Sequence, residues 1–530
     1  MNPVWQYLEL SWQNLTLSAL PLTQWRNTSS LHRLVGALRS WQRGSWLMQW
    51  ADQIGVLLLS LVFGLAPFVS TSLVGILLAA CVAYWVLLTV SDEMKPQPEQ
   101  LGDRLQNSGD RADFLGRMKP QPEQLGDRLP VSSDSELQET TTPKSTRFSF
   151  PGATPIHWLV ALYWSVVTVA TAFSPVKKAA LVGWGKLTLY LLLFALMARV
   201  LRSPRLRSWL ITLYLHVSLV VSIYGIQQWI AKVPPKATWN DPTSLSANAT
   251  RAYSYLGNPN LLAGYLLPAI ALSLAAVFAW RSWGAKALAL TMLIVHCACL
   301  LFTDSRGSWI GFVILLGVFF LLLFYWLQDR LPRFWRTWFL PIGFGTVAGL
   351  GLLMIVLVEP LRDRISSIFV SRGNSSNNYR INVWGSVLHM IRDHPVLGIG
   401  PGNNAFNKIY PLYQRPKFSA LSAYSIFLEV AVESGLIGLT CFLWLLLVIF
   451  NQGWVQLQRL KKIGSSEGFW LIAAIAALWG MLGHGLVDTV WYRPEVSTLW
   501  WLMVAIIATY YNGHESDQTL ASPSASNRVS

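Results

Sequence analysis

The chain has 530 residues, of which 53% are hydrophobic and 13% charged, and its formal net charge is +15. Several apolar runs approach the roughly 20 residues that a helix needs to cross a bilayer, which predicts a polytopic membrane protein. The arginines and lysines cluster in short loops between these runs, where membrane topology explains them, so no nucleic-acid partner is expected.

The amino-terminal part contains two different segments. Residues 1–50 are rich in tryptophan and arginine and have Glu9 as their only acid, which predicts a segment on the cytoplasmic membrane surface. The first apolar run begins only near Ile54, so a cleavable signal peptide is not expected. The run across residues 51–90 is too long for one span and contains Pro67, which predicts a transmembrane hairpin.

Residues 91–155 change character completely. They are polar and contain MKPQPEQLGDRL twice, at 94–105 and at 118–129. A repeat without an apolar face is typical of a disordered loop, here a cytoplasmic one, although a docking motif is the alternative. The polar tail, residues 512–530, is also predicted to be disordered and cytoplasmic.

Ten further apolar segments follow this loop. With the hairpin they predict an all-α polytopic fold with about twelve transmembrane helices, of which helices 3–9 occupy residues 156–358 and helices 10–12 occupy residues 425–511. The segments are 156–173, 179–199, 208–230, 259–280, 284–302, 307–327, 338–358, 425–450, 468–488 and 494–511. The basic short loops then place both termini in the cytoplasm of a bacterial cell, with the protein in the inner membrane and the loops at 231–258 and 359–424 in the periplasm.

The large loop at 359–424 combines many cations with a predicted helix. Asn377 and Asn378 are good N-cap residues for that helix, and Pro395 predicts its end at Asp393. Gly398, Gly400 and Gly402 then allow a tight turn with exposed backbone next to Arg380, which suits an anion. The basic residues of the loop are Arg362, Arg364, Arg372, Arg380, Arg392, Lys408, Arg415 and Lys417. A long loop can cross a membrane despite such a charge, and the excess indicates anion binding.

Three further patches are predicted on the same side of the membrane. They contain Arg251, Asp304 with Arg306, and Asp488, the last within a stretch that continues to Glu495. Singly, each is explained by interfacial arginines, a helix cap or a local ion pair. Together with Arg380 they predict a convergent cationic site.

Ionisable residues also occur inside the predicted spans. Glu429 and Glu433 are four residues apart at the start of one span, and His484 and Asp488 are four apart near the end of the next. Such groups are costly in a membrane, so the glutamates either form a proton or cation pathway or pair with arginines of the loop, and the second interpretation is preferred. No metal-ligand spacing, nucleophile elbow or phosphate loop occurs, so neither a metal nor a cofactor is expected.

Four motifs together resemble the O-antigen ligase and polymerase superfamily, of the Wzy_C type that includes the WaaL-like ligases. They are RINVWGSVLHMIRDHPVLGIGPGNN, ESGLIGL, GNPN at 257–260 and TDSRG at 303–307, and the ligase-like region covers residues 290–450 approximately. Within the superfamily the sequence is most similar to the cyanobacterial IctB-type branch, named for a proposed role in inorganic carbon accumulation. The resemblance implies twelve spans and a large periplasmic loop late in the chain.

The resemblance also implies roles for particular residues. By resemblance to the ligases, two outer arginines would hold the diphosphate of a lipid-linked glycan, and a histidine at the start of the following span would act in glycosyl transfer. The matching positions are Arg251, Arg380 and Tyr424. Tyrosine, with a reference pKa near 10, is a poor general base at neutral pH. His389 and His394 lie in the loop as alternatives, although nothing in the sequence places them near Tyr424.

Two functions are therefore predicted from the sequence. In the preferred one the protein is not an enzyme and contributes to bicarbonate transport or accumulation through an anion site of Arg251, Arg306 and Arg380. Coupling or supporting residues would be Glu429, Glu433, Asp304, Asp488 and His394. Against it, the sequence shows no discontinuous helix pair or inverted repeat. In the alternative the protein is a metal-independent membrane glycosyltransferase acting on a polyprenyl-diphosphate-linked glycan in cell-surface polysaccharide biosynthesis. A third interpretation, in which the loop only binds a partner or lipid headgroups, stays open.

Overall fold

The computed structural model describes residues 3–17, 50–91, 154–234, 250–357, 376–416 and 418–511. Most of the predicted surface segment, both copies of the repeat, the start of the large loop and the carboxyl-terminal tail lie outside these residues. The chain divides into two compact units. The first comprises residues 1–19, 50–87 and 152–530, and the second comprises residues 20–49 and 88–151. In the second unit the structure describes only the end of one helix.

Every regular element of the described residues is helical, which confirms the all-α prediction. The α-helices are α1 Pro3–Leu15, α2 Ala51–Leu65, α3 Thr71–Ser91, α4 Pro155–Ala172, α5 Lys177–Val200, α6 Pro204–Ile230, α7 Pro259–Ala279, α8 Trp283–Phe302, α9 Arg306–Leu327, α10 Arg333–Leu357, α11 Ser376–Asp393, α12 Asn403–Ile409, α13 Ile426–Ile463, α14 Gly468–Gly485 and α15 Pro494–Thr509. Two single-turn 3₁₀ helices, Ser254–Leu256 and Tyr410–Leu412, complete the set.

Each of the twelve predicted apolar segments coincides with a helix, from α2 to α10 and from α13 to α15. Among the described residues, nine helices are long and apolar enough to cross a membrane, and α2 and α15 are shorter apolar helices. The chain is therefore a multi-pass membrane protein. The full count of twelve spans and the side on which each loop lies stay predictions.

Helices α7 and α14 form the centre of the first unit. They are the most buried of the nine candidate spans, and α9 packs closely against α14. A Cβ added to Gly311 of α9 would lie only 2.4 Å from the carbonyl oxygen of Gly480, so only glycine permits this approach. Small residues allow such contacts between helices in a membrane. The contact also places the start of α9 beside His484 at the end of α14.

Helix α13 is broken at Gly435, within the span predicted at residues 425–450. Gly435 has φ 68° and ψ −172°, outside the helical region. The chain after α11 runs along the break: Ile399 N–H donates to Val432 O at 2.9 Å, and Leu436 N–H donates to Pro395 O at 2.8 Å. Backbone groups freed inside a membrane helix must be satisfied by other protein groups, and here the loop satisfies them.

Candidate functional site

Two of the predicted arginines, Arg251 and Arg380, are linked through Asn260 and Asp488. The Arg380 guanidinium lies 3.4 Å from Oδ2 of Asp488, and the Asn260 side-chain amide donates to the same oxygen at 2.5 Å. Arg251 donates to Oδ1 of Asn260 at 3.1 Å. We call Arg251, Asn260, Arg380 and Asp488 the arginine network. The bond from Asn260 to Asp488 joins residues 228 positions apart in the sequence.

Local structure positions two members of the network, Asn260 and Arg251. Asn258 caps α7 by accepting a hydrogen bond from Asn260 N–H at 2.8 Å, which holds Asn260 in the first turn of that helix. Nε of Arg251 donates to Thr303 O at 2.9 Å. This bond attaches Arg251 to the turn before α9. In that turn Asp304 has φ 52°, and the turn leads into Arg306, the half-buried first residue of α9.

The network has more positive than negative charge. It contains two guanidinium groups and one carboxylate: Arg380 contacts Asp488 directly, and Arg251 is linked to Asp488 through Asn260. The side chains of Arg380 and Asp488 are only 18% and 8% exposed. Guanidinium groups in a partly dehydrated site bind phosphate and carboxylate oxygens strongly, because the hydrogen bonds are charge-assisted and can be paired. The site is therefore suited to a diphosphate or a smaller anion.

Tyr424 lies beside this network but is not suited to act as a base. Its ring packs against Tyr379 with centroids 6.1 Å apart, and its carbonyl accepts from the Trp384 indole at 3.3 Å. Burial raises the pKa of the Tyr424 hydroxyl far above its usual value. The nearby Tyr379 and Asp488 add to this rise, and Arg380 opposes it. The hydroxyl stays protonated at neutral pH, so it can donate a hydrogen bond but not accept a proton.

Glu429 and Glu433 bind backbone N–H groups. The carboxylate of Glu429 accepts from Ala423 N–H, and that of Glu433 accepts from Gly402 N–H, both at 2.6 Å. The predicted pairing with loop arginines is therefore wrong for the arginines that the structure describes. Arg362, Arg364 and Arg372 lie outside that part of the chain.

The glycine turn after α11 has the predicted shape but not the predicted role. Gly398, Gly400 and Gly402 all have positive φ, from 66° to 98°. However, Gly400 N–H donates to Glu433 O and Gly402 N–H to the Glu433 carboxylate, at 2.9 and 2.6 Å. These N–H groups hold the turn against the broken helix and are not available to an anion.

The histidines named in the sequence lie in different surroundings. His389, one of the two alternatives for the missing base, is exposed on α11. His394 is half-buried just after α11, and no side-chain contact joins it to the arginine network among the described residues. His484 is fully buried next to Gly307, one turn before Asp488, and neither ring nitrogen has a hydrogen-bond partner in the described part of the chain. In the part of the chain that the structure describes, no group of three or more His, Cys, Asp or Glu could hold a metal.

A cavity of about 150 Å³ lies beside the network and was not predicted. Its walls are formed by α4, α5, α13 and α15, by the turn at 401–404 and by the segment at 489–492. The polar and aromatic lining residues are Tyr163, Lys186, Tyr190, Asn403, Asn404, Glu429, Glu433, Ser434, Phe442, Thr489, Trp491, Tyr492, Ser497 and Trp501. No sequence signal marks this set, because its members come from elements far apart in the chain.

Comparison with known families places this geometry in context. Residues 287–443 match the family model described as O-Antigen ligase. The match runs from α8 into α13 and includes Arg306, Arg380 and Tyr424, whereas Arg251 and Asp488 lie outside it. It covers less than half of the chain and supports a relationship to the O-antigen ligase superfamily, without support for the IctB-type branch. A comparison with curated proteins gives no match.

Proposed function

We propose that the protein is a membrane glycosyltransferase of the O-antigen ligase type, acting on a lipid-diphosphate-linked glycan at the outer face of the bacterial inner membrane. The observation that carries this proposal is the arginine network, in which Arg380 contacts the buried carboxylate of Asp488 and Asn260 links Arg251 to the same carboxylate. The family match at residues 287–443 supports the same class of reaction.

In this proposal the arginines bind the diphosphate of the donor lipid. During transfer the bond between the sugar C1 and the diphosphate oxygen breaks, and negative charge grows on the leaving diphosphate. Guanidinium groups fixed at that position stabilise the developing charge more than they stabilise the intact donor. Asp488 holds Arg380 in place at 3.4 Å, and the protonated Tyr424 hydroxyl provides a further donor nearby.

Deleting the gene in the source organism tests this proposal without a known substrate. We expect the deletion strain to lose a cell-surface glycan and to accumulate its lipid-linked precursor, with bicarbonate uptake unchanged. Complementation with the unmodified gene is the control. Unchanged surface glycans together with reduced bicarbonate uptake would contradict the proposal.

Bicarbonate transport is a second candidate, and one observation favours it. Broken helices near a central cavity are common in secondary transporters, and α13 is broken at Gly435 beside the cavity. The arginine network would then bind bicarbonate. Uptake of labelled bicarbonate by liposomes containing the purified protein, under sodium and proton gradients in turn, tests this. Our proposal expects no saturable uptake.

The orientation of the site is tested by cysteine labelling. A cysteine cannot be placed at Gly400 of the glycine turn, because Gly400 has φ 98° and an added Cβ would lie 2.6 Å from Cβ of Ala180. Leu412 is 78% exposed, and we expect a Leu412→Cys variant to react with an impermeant maleimide added outside the inner membrane. Trp283→Cys, in a predicted cytoplasmic loop and at a residue 85% exposed, is the matched control and should react only after permeabilisation. The opposite pattern would place the arginine network on the cytoplasmic side.

A further inference from the structure

The cavity and the arginine network are connected by two consecutive residues, Asp488 and Thr489. Thr489 lines the cavity, and its backbone N–H donates to Oδ1 of the preceding Asp488 at 2.8 Å. Asp488 in turn contacts Arg380 through its other oxygen. A ligand in the cavity would therefore lie next to an anion bound by the arginines.

Two carboxylates contribute to the lining of this cavity. Glu429 and Glu433 each use one oxygen to accept a backbone N–H bond. The second oxygen of each has no hydrogen-bond partner among the described residues, although both residues line the cavity. Carboxylates inside a membrane protein are costly unless they face a partner or a wet cavity. Lys186 is the cation of the lining, and its side chain is exposed.

Unpaired polar groups of the lining indicate the chemistry of a ligand. Thr489 is only 4% exposed, and its hydroxyl has no hydrogen-bond partner in the described part of the chain. The indole N–H of Trp491 is likewise buried and unpaired there. Buried polar groups in proteins are normally hydrogen-bonded. Donors and carboxylates set among aromatic rings suit a sugar, because its hydroxyls both donate and accept while its C–H faces pack on the rings.

The position of Glu429 distinguishes it from Glu433. Its carboxylate reaches back to Ala423 N–H at 2.6 Å, which places it beside Tyr424 at the start of α13. Glu433 lies one turn deeper and holds Gly402 of the turn. The Tyr424 hydroxyl stays protonated and cannot act as a base. Of the two lining carboxylates, Glu429 is the one nearer to Tyr424 in the chain.

We propose that this cavity binds the acceptor sugar of the transfer reaction and that Glu429 is its general base. This inference rests on the proposed glycosyltransferase function. The attacking acceptor hydroxyl gives its proton to the free oxygen of Glu429, and its oxygen forms a bond to C1 of the donor sugar. The bond from C1 to the diphosphate oxygen breaks, and the electron pair leaves with the lipid diphosphate on Arg251 and Arg380.

A substitution at Glu429 tests the inference without disturbing the local hydrogen bond. Glu429→Gln keeps an oxygen that can accept from Ala423 N–H but cannot take a proton at neutral pH. The assay offers a radiolabelled short-chain polyprenyl-diphosphate-linked hexose as donor and octyl glucoside as acceptor to the full chain in liposomes. We expect transfer to fall by about 100-fold or more, the usual contribution of a general base, with donor binding unchanged. Glu9→Gln, at an exposed residue of α1, is the control.

The outcomes separate this inference from the proposed function. No transfer by the unmodified protein would overturn both. Transfer that is lost in Arg380→Ala but retained in Glu429→Gln would overturn only the role of Glu429. Glu429→Ala removes the carboxylate and leaves space for a small acid, so added formate should restore part of its transfer if Glu429 is the base. A purely structural Glu429 would give no formate rescue, and that result would also overturn the inference.

Discussion

Replacing Arg380 with alanine should weaken binding of a prenyl diphosphate by about 100-fold and abolish glycosyl transfer. Hydrogen bonds to charged groups contribute about 1.5–3 kcal/mol each, and a loss near the upper end corresponds to this factor. Arg380 is the network arginine that directly contacts the carboxylate of Asp488, at 3.4 Å. Geranyl diphosphate is a suitable probe, and isothermal titration calorimetry with the purified protein measures its affinity.

A second variant separates anion binding from folding. Arg380→Ala alone leaves Asp488, whose side chain is 8% exposed, without its guanidinium partner, and a buried unpaired charge is destabilising. The double variant Arg380→Ala/Asp488→Asn removes that charge while Asn260 keeps a hydrogen-bond acceptor. We expect the double variant to recover thermal stability but not affinity. Unchanged affinity in either variant would exclude Arg380 from the anion site.

Arg380→Lys provides a graded test of the same group. Lysine keeps the positive charge but not the planar pair of N–H donors that fits a phosphate. A simple charge effect would leave affinity close to that of the unmodified protein. Intermediate affinity is expected, because the network requires both charge and geometry.

The sequence predicted the helices well because their ends depend on local residues. Helix α11 was predicted to begin near Asn377 and to end at Asp393, and it spans Ser376–Asp393. Pro395 and the following glycines decide that end within a few residues of chain. The apolar segments likewise match helices within a few residues in most cases, since length and hydropathy alone define them.

The candidate site was only partly predictable. Arg251, Arg380 and Asp488 were expected on one side of the membrane. However, the contacts of Asp488 with Arg380 and with Asn260 join residues more than 100 positions apart in the sequence. The cavity and the partners of Glu429 and Glu433 were missed for the same reason. The family match does not include Asp488 either, so only the three-dimensional structure shows the network.

Gly435→Ala should be strongly destabilising. The φ of 68° and ψ of −172° at this position are essentially restricted to glycine. An added Cβ would also lie 2.1 Å from the carbonyl oxygen of Val396, which is backbone and cannot rotate away. Strain and overlap together predict a loss of more than about 4 kcal/mol of stability, the range seen only for exceptional substitutions.

The consequence should extend from the break in α13 to the functional site. Gly435 lets the segment at 395–400 lie against the broken helix, where Gly400 N–H donates to Glu433 O at 2.9 Å. Displacing that segment would break the bond from Gly402 N–H to Glu433. It would also shift the end of α11, the helix that carries Arg380. We therefore expect little folded protein in detergent, measured by size-exclusion chromatography and thermal unfolding, and no diphosphate binding by what remains.

Gly464→Ala in the same helix is the matched control. Gly464 ends α13 with φ 72°, so alanine there carries left-handed strain of about 1–2 kcal/mol. Its added Cβ would meet only the flexible Arg330 guanidinium, at 3.5 Å. A small shift in the unfolding temperature is expected for this variant and a large one for Gly435→Ala. Equal shifts would mean that the contact between Gly435 and the segment at 395–400 adds little to the effect of backbone strain.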